Sequence, residues 1–262
     1  VLFRSIPLQA RATLVEKYQA RLGGRTFPEP TYAAMVESLD NSVAAVRKTL
    51  EESGLARDTV IVFFSDNGGL RYEGGGKRLV TSNAPLRAGK GHLYEGGIRE
   101  PLYIHWPGIT QPGRAVDTPV SSVDFFPTLL EMAGMKPPRP VDGVSLAPLL
   151  RGGTAPAREA IYWHYPHYSN QGGVPGGAIR MGDWKLIEFY EDGRLELFNL
   201  KEDPGETVNL VRKNAQKARE MHTKLRNWRM QTNALMPDPN PNYDPATADQ
   251  GLTGAEKPTP PA

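Results

Sequence analysis

The sequence predicts an α/β body followed by a smaller α+β subdomain. In the first half, apolar residues recur at helical spacing from Tyr32 to Leu50, and the apolar run Val60–Phe64 follows. A helix followed by a strand that is apolar at every position is typical of one half of an α/β unit. In the second half, strand-like runs flank Glu191-Asp192-Gly193, which is a strong hairpin signal, and a last helical pattern comes after them.

The body is predicted to consist of helices and two strands. Apolar spacing predicts helices at 14–22, 32–50 and 123–133, and strands at 60–64 and 102–106. Gly54 and Gly134 are placed to end the second and third helices. Because Val60–Phe64 is apolar throughout, we expect it to be buried on both faces, as in a mostly parallel sheet that helices cover. Residues 68–100 are rich in glycine and are interpreted as a long functional loop.

The character of the chain changes after about residue 155. Strand-like runs at 161–163, 184–190 and 194–198 precede a helical pattern that extends from Leu210 to Trp228. From Asn233 onward Pro, Asn, Asp, Ala and Thr dominate, a composition typical of disorder. We therefore divide the chain into a body (1–155), an α+β subdomain with an antiparallel hairpin and a closing helix (156–232), and a disordered tail (233–262).

Composition excludes several classes of protein and site. The chain has 262 residues and a net charge of +2, without a basic tract that would predict a nucleic-acid partner. It lacks the run of about 18 apolar residues that a transmembrane segment needs. It contains no cysteine, which excludes disulfides, thiolate metal sites and a cysteine nucleophile within this chain. Oligomeric state is left open.

Two oxygen-bearing side chains directly follow the first predicted strand, in the stretch FFSDNGG. Asp66 and Asn67 therefore lie at the carboxyl end of a strand, where ligands of open α/β sheets gather. Carboxylate and amide oxygens are suitable ligands for Ca²⁺ or Mg²⁺. The alternative is that Asp66–Gly69 forms only a turn, because these residue types are common turn formers.

A lysine between two glycines, Gly89-Lys90-Gly91, lies in the glycine-rich loop. Glycine backbone can approach a ligand closely because it carries no Cβ. The segment is not a P-loop, since no glycine stands at the required offset before it and neither Gly91 nor His92 supplies the Ser/Thr that should follow the lysine. On spacing alone, a solvated lysine and a ligand contact explain Lys90 equally well.

The combined pattern resembles the arylsulfatase-type sulfatases of the alkaline phosphatase-like superfamily. An Asp-Asn-Gly after an apolar strand is followed by Pro-Leu-Arg-x-Gly-Lys-Gly-x-x-x-Glu-Gly-Gly-x-Arg-x-Pro. Further similar stretches are YAAMVESLDNSVAAV, SSVDFFPTLLEMAG, DGVSLAPLLRG and WKLIEF…LELFNLKEDPGETVNL. The resemblance covers about residues 6–230 and implies part of an alkaline phosphatase-like sandwich with a C-terminal subdomain.

The resemblance implies roles for individual residues. Asp66 and Asn67 match the second pair of divalent-cation ligands, for Ca²⁺ rather than Mg²⁺. Lys90 matches the catalytic lysine that contacts both the sulfate and the leaving oxygen. A cation and an ammonium group would stabilise the charge that develops when a sulfate ester is hydrolysed. The expected substrate is a sulfated small molecule or a sulfated polysaccharide.

The sequence also departs from the family pattern. The formylglycine motif Cys/Ser-x-Pro-x-Arg is absent, and the resemblance implies that the formylglycine nucleophile and the first metal carboxylates lie upstream. Ile6–Ala10 resembles the stretch after a catalytic histidine, but Ser5 stands where that histidine is expected. Val1–Ser5 is therefore interpreted as a foreign start or a divergence. We interpret the chain as a C-terminal portion that is inactive alone.

Polar residues in the C-terminal part are candidates for substrate binding. His164, His167 and Arg180 lie among aromatic residues and glycines and could bind a sugar hydroxyl or a second anion. Glu95 and Arg99 are interpreted as a pair that braces the glycine loop. The remaining candidates, His105 and His222, are assigned to structure because they fall within a predicted strand and a predicted helix.

Two other functions are compatible with the sequence. One is a phospho- or phosphonate-ester hydrolase or transferase of the same superfamily, which an unmodified Thr or Ser nucleophile would distinguish. The other is a non-catalytic protein that binds sulfated glycans and has lost the nucleophile. The resemblance also implies a periplasmic or extracellular location.

Overall fold

A computed structural model describes residues 7–25, 29–73, 78–154, 157–248, 257 and 259–261. The α-helices are α1 (Ala12–Leu22), α2 (Pro30–Glu52), α3 (Glu95–Ile98), α4 (Phe125–Met132), α5 (Ala147–Leu150) and α6 (Ala215–Gln231), and short 3₁₀ turns cover Ala56–Asp58 and Ser122–Asp124. The strands are β1 (Ile61–Phe64), β2 (Tyr72–Glu73), β3 (Arg78–Leu79), β4 (Leu102–His105), β5 (Ile161–Tyr165), β6 (Gly176–Met181), β7 (Trp184–Phe189) and β8 (Leu195–Asn199). No helix in these ranges combines the length and apolarity that a membrane span requires.

The predicted long helix is confirmed, and local chemistry explains where it begins. Pro30 occupies the first turn of α2, where its missing N–H costs no hydrogen bond. The Glu29 side chain accepts a hydrogen bond from the backbone N–H of Tyr32 at 2.7 Å and so caps the helix. The helix ends at Glu52, two residues before Gly54.

The strand pair of the body differs from the expected parallel arrangement. β1 and β4 are antiparallel, with Phe64 opposite Leu102. The pairing continues beyond both strands, because the Ser65 N–H donates to the Pro101 carbonyl at 3.2 Å. Among the described residues between these strands, the one helix is the four-residue α3, beside the short pair β2–β3, whereas a parallel crossover usually needs a longer helical connection. This part of the chain therefore contributes an antiparallel pair to the α/β body.

Apolar side chains of the body remain exposed, contrary to the expected burial on both faces. Val62 and Phe64 of β1 are 37% and 38% exposed, and Tyr103 of β4 is 69% exposed. Between α2 and the strand pair lies an apolar groove of about 530 Å³, whose lining includes Val36 and Leu39. The sheet thus presents apolar surface on both faces.

The C-terminal subdomain has the predicted hairpin and closing helix. Its sheet is an antiparallel meander in the order β5-β6-β7-β8, and the β7–β8 turn contains Gly193 in the left-handed region, at φ 69°. One face buries Ile179, Leu186 and Leu197 against α6. The opposite face packs on the loop that precedes α3, through a cluster that includes Leu93 and Tyr94. The subdomain sheet therefore supports the glycine-rich loop directly.

The described part of the tail contacts the subdomain. The Leu235 carbonyl lies 2.9 Å from Nε2 of His164, and Asn240 donates to the Tyr168 hydroxyl at 2.7 Å. Asn209 and Pro261 form an isolated parallel β-bridge. The disorder predicted for the tail as a whole stays a prediction. The domain boundaries after 155 and 232 stay predictions.

Replacing Leu186 by Ala should lower the free energy of unfolding by about 2–5 kcal/mol, because it leaves a cavity in the core between the sheet and α6. The matched control is Leu235→Ala, since that leucine side chain is 85% exposed and its loss should change stability by less than about 0.5 kcal/mol. Urea unfolding of both variants measures the difference. Equal destabilisation by the two substitutions would contradict this packing.

Candidate active site

The two predicted metal ligands lie where β1 ends. Asp66 is exposed and Asn67 is half-buried, and the Asn67 carbonyl accepts a hydrogen bond from the Ser65 hydroxyl at 3.0 Å. The Gly68 N–H donates to the Gly97 carbonyl at 3.1 Å. A Cβ on Gly68 would lie 1.8 Å from the Gly96 carbonyl oxygen, so only glycine allows this approach. The strand tip is therefore held against the turn that begins α3.

The loop that carries Lys90 is joined to the same strand tip. The Lys90 N–H donates to the Gly69 carbonyl at 3.3 Å. The Asn83 side chain accepts from the Gly69 N–H at 3.2 Å and donates to the carbonyls of Gly69 and Ala88, each at 3.1 Å. The structure thus joins the backbone of Lys90 to Gly69, three residues after Asp66 along the chain. Sequence reasoning missed the connecting role of Asn83.

A further carboxylate, Glu100, lies opposite Asp66. The antiparallel register pairs Ser65 with Pro101, which places Asp66 across from Glu100. Oε1 of Glu100 is buried and has no hydrogen-bond partner among the described residues. Burial and, second, the Asp66 carboxylate raise the pKa of Glu100 to about 7. Sequence reasoning missed Glu100 because its proximity to Asp66 depends on the antiparallel pairing.

These donors fit a hard divalent cation. Asp66 and Asn67 offer carboxylate and amide oxygens, and the opposed carboxylates of Asp66 and Glu100 would repel each other less with a cation beside them. Within the described ranges, no group of three or more His, Asp or Glu residues is arranged as a complete metal site. These residues can therefore form part of a metal site.

A buried ion cluster braces the helix that follows the lysine loop. Lys185 of β7 is completely buried and lies 3.1 Å from Glu95 and 2.9 Å from Glu206. A Glu206 oxygen also accepts from the Glu95 N–H at 2.6 Å, which caps the first turn of α3. Burial raises the pKa of the Glu206 carboxyl, and the ammonium of Lys185 acts in the opposite direction.

The bracing role predicted for Glu95 is consistent with this cluster, but its predicted pairing with Arg99 is wrong. Arg99 is exposed, and no ion pair forms between these two described residues. Glu95 instead faces Lys185 and Arg180, with Arg180 at 3.6 Å. Arg99 follows the end of α3 in extended conformation, at φ −99° and ψ 107°, which directs the chain into β4 rather than back to Glu95.

A second buried group supports the start of the lysine loop. The Arg87 guanidinium lies 3.7 Å from the ring centroid of Tyr94 and 3.6 Å from the Glu196 carboxylate. The Tyr94 hydroxyl donates to Glu196 at 2.9 Å. Burial and then the Glu196 charge raise the pKa of Tyr94 well above its ordinary value. A cation over an aromatic face and beside a carboxylate is favourable where water is excluded.

The predicted substrate-binding residues are not placed alike. Both ring nitrogens of His164 contact protein groups, Nδ1 at 2.7 Å from the Tyr190 hydroxyl and Nε2 at 2.9 Å from the Leu235 carbonyl. Arg180 faces Glu95 and donates to the Gly182 carbonyl at 3.2 Å. His167 is exposed, with its ring 5.5 Å from that of Tyr165. Their contacts with substrate stay predictions.

The loop after His167 meets the lysine loop. A Cβ on Gly173 would lie 1.7 Å from the Gly91 carbonyl oxygen, and one on Gly91 would lie 2.2 Å from the Ser169 hydroxyl. Residues 167–173 therefore border Lys90 closely. The two histidines assigned to structure lie elsewhere: His222 is 3.0 Å from Glu188, and His105 lines the apolar groove.

Comparison with known proteins identifies the family. A family model described as "N-sulphoglucosamine sulphohydrolase, C-terminal" matches residues 88–232, which is more than half of the chain, and the "Sulfatase" model matches residues 19–135. The chain belongs to the sulfatase family. This family generally uses a formylglycine and a divalent cation.

Sulfatase relatives resemble this chain over most of its length. A "Sulfatase" of Formosa agariphila is 36% identical over 255 residues, which covers 87% of this chain and 45% of that protein. The crystal structure of Ps i-CgsB in complex with k-i-k-neocarrahexaose has a TM-score of 0.74 and 28% identity, over 90% of this chain and 50% of that one. BT4656 in complex with D-glucosamine-2-N,6-O-disulfate has a TM-score of 0.63 and 29% identity, over 90% of this chain and 45% of that one.

These likenesses confirm the alkaline phosphatase-like fold that the sequence predicts. The chain spans about half the length of the sulfatases that it matches.

Replacing Lys185 by Met should lower the free energy of unfolding by about 3–5 kcal/mol, because the carboxylates of Glu95 and Glu206 then remain buried without their shared cation. The control is Lys201→Met, since Lys201 is exposed. Urea unfolding measures both. A loss of less than about 1 kcal/mol for Lys185→Met would contradict a bracing role for the cluster.

Proposed function

We propose that the protein hydrolyses sulfate esters, with Lys90 as a catalytic residue and Asp66 and Asn67 as ligands of Ca²⁺. The observation that carries the proposal is the connection of the lysine loop to the tip of β1, by the Lys90 N–H at 3.3 Å from the Gly69 carbonyl and by the side chain of Asn83. Both candidate groups are therefore built on one rigid junction. Membership of the sulfatase family supports the same reaction.

Lys90 supplies positive charge where negative charge develops. Cleavage of a sulfate ester leaves charge on the sulfate oxygens and on the departing oxygen, and a positioned ammonium group stabilises both. Lys90 is half-buried, so its charge is screened by water less than that of a surface lysine. The glycines on either side let the backbone approach the substrate.

Asp66 and Asn67 would hold the cation, with Glu100 adding negative charge from the opposite strand. Calcium fits better than magnesium because it accepts a flexible set of carboxylate and amide oxygens. When bound, the cation adds electrostatic stabilisation of the sulfate oxygens. The chain contains no cysteine, and the formylglycine is proposed to lie in an upstream part of the full-length protein.

The substrate class that we propose is a sulfated carbohydrate. The two structures compared above contain, by their descriptions, k-i-k-neocarrahexaose and D-glucosamine-2-N,6-O-disulfate. In this chain, the loop of residues 167–173 offers an exposed His167 and the polar Ser169 beside the lysine loop, where a sugar hydroxyl or a second sulfate could bind. The periplasmic or extracellular location that the resemblance implies is part of the same proposal.

The alternatives from the sequence are not favoured. The Formosa agariphila relative reported above is named a sulfatase, and the two family models that match this chain describe a sulfatase and a sulphohydrolase. A phospho- or phosphonate-ester hydrolase and a non-catalytic glycan-binding protein therefore lack a supporting comparison here.

In the full-length protein, produced together with a formylglycine-generating enzyme, Lys90→Ala should lower kcat for a sulfate ester by about 10²–10³-fold, as loss of one preorganised donor does. Lys136→Ala is the control, because Lys136 is exposed and lies outside the site. Steady-state kinetics with an aryl sulfate and a sulfated sugar measure both variants. An unchanged kcat for Lys90→Ala would refute a catalytic role.

Calcium should raise the melting temperature of the full-length protein, and Asp66→Ala should abolish that increase because a ligand oxygen is lost. Asp58→Ala is the matched control, since this aspartate lies at the other end of β1. Differential scanning fluorimetry with and without calcium provides a readout that does not depend on turnover. A calcium-induced shift that persists in Asp66→Ala would exclude Asp66 as a ligand.

A further inference from the structure

The C-terminal end of the chain enters the buried group that supports the lysine loop. Each polar backbone and side-chain atom of Thr259 is used there. Its N–H donates to Glu196 at 3.1 Å, and its hydroxyl donates to the Glu206 carbonyl at 3.2 Å. Its carbonyl accepts from the Asn209 side chain at 3.1 Å. A residue that merely lay on the surface would not satisfy several buried groups at once.

Arg87 receives additional acceptors from the same segment. One guanidinium nitrogen donates to the Thr259 hydroxyl and to the Glu206 carbonyl, and the other donates to the Lys257 carbonyl. Arg87 is buried, with only 7% of its surface exposed, so its charge depends on such acceptors. The segment thus supplies part of the environment that keeps this arginine in place.

Asn209 holds the segment from the other side. Its amide oxygen accepts from the backbone N–H groups of Leu197 and Val211, at 3.0 Å and 3.1 Å, while its amide nitrogen binds Thr259. The bridge between Asn209 and Pro261 adds a backbone contact. The subdomain sheet, through Asn209, therefore fixes the position of Thr259.

Arg87 also connects the C-terminal segment to the loop that carries Lys90. Its carbonyl accepts from the Gly96 N–H at 2.8 Å, and its guanidinium stacks on Tyr94. The next residue, Ala88, has a positive φ of 56° and is held by Asn83, and Lys90 follows two residues later. A shift of Arg87 would therefore move the backbone from which Lys90 projects.

We propose that Thr259 is a positioning residue: the C-terminal segment acts as a clasp that fixes Arg87 and, through it, the lysine loop. The expected effect on catalysis rests on the proposed function. The effect of the C-terminal segment on the position of the lysine loop does not. Thr259→Val keeps the shape of the side chain and removes the hydroxyl, so that Arg87 loses one acceptor. Thr259→Ser keeps the hydroxyl.

The test uses the full-length protein and its variants Thr259→Val, Thr259→Ser and a deletion of residues 257–262. Thr247→Val is the matched control, because the Thr247 hydroxyl bonds only to Asp244 at the surface among the described contacts. Hydrogen–deuterium exchange of residues 86–97 is measured without substrate, and kcat and KM are measured with a sulfate ester. The exchange experiment does not require the proposed activity.

Thr259→Val and the deletion should increase exchange within 86–97 and lower kcat about tenfold, the equivalent of one buried hydrogen bond, while KM changes less. Thr259→Ser and Thr247→Val should both leave the exchange of residues 86–97 and kcat at their wild-type values. Unchanged exchange in the deletion variant would overturn the clasp. Increased exchange in 86–97 with an unchanged kcat would overturn the positioning of Lys90. Absence of sulfate-ester hydrolysis by the wild-type protein would refute the proposed function and leave the exchange result to decide the clasp.

Discussion

The candidate site depends on burying the charge of Lys185 between Glu95 and Glu206. Removing an ammonium group from water is costly, and only close carboxylates with additional hydrogen bonds offset that cost. Lys185 lies on β7, within the subdomain sheet, and Glu95 is the first residue of α3. The cluster therefore joins the subdomain to the body. The glycine-rich loop ends at that cluster. Its geometry is therefore set by a subdomain residue that lies 90 residues away along the chain.

Close backbone contacts join the end of β1 to the loop that carries Lys90. Gly68 lies against Gly96, and Asn83 ties Gly69 to Ala88, so the end of β1 and the lysine loop form a single junction. The backbone of the strand tip that carries Asp66 and that of the loop that carries Lys90 therefore meet at this junction. This arrangement suits an anionic group that must be held while a bond to oxygen breaks.

Sequence reasoning was most successful where the signal is local. The Gly193 hairpin depends on neighbouring residues, and α2 and the helix closing the subdomain follow from their apolar period. It failed where the answer depends on distant residues. The antiparallel pairing of β1 with β4 depends on the path of the long segment between them. Glu100 lies opposite Asp66 because of that pairing. The contacts of His164 with the tail and of Arg87 with Thr259 join segments about 70 and 170 residues apart, which no local pattern indicates.

The contact between Gly173 and Gly91 limits which substitutions the loop of residues 167–173 can accept. A side chain at Gly173 would collide with the backbone beside Lys90, so drift at this position would distort the lysine loop. Ser169 and Gln171 approach Gly91 through their side chains. Asn170 is exposed and makes no such approach, so a substitution or insertion there leaves the packing of Gly173 against Gly91 in place.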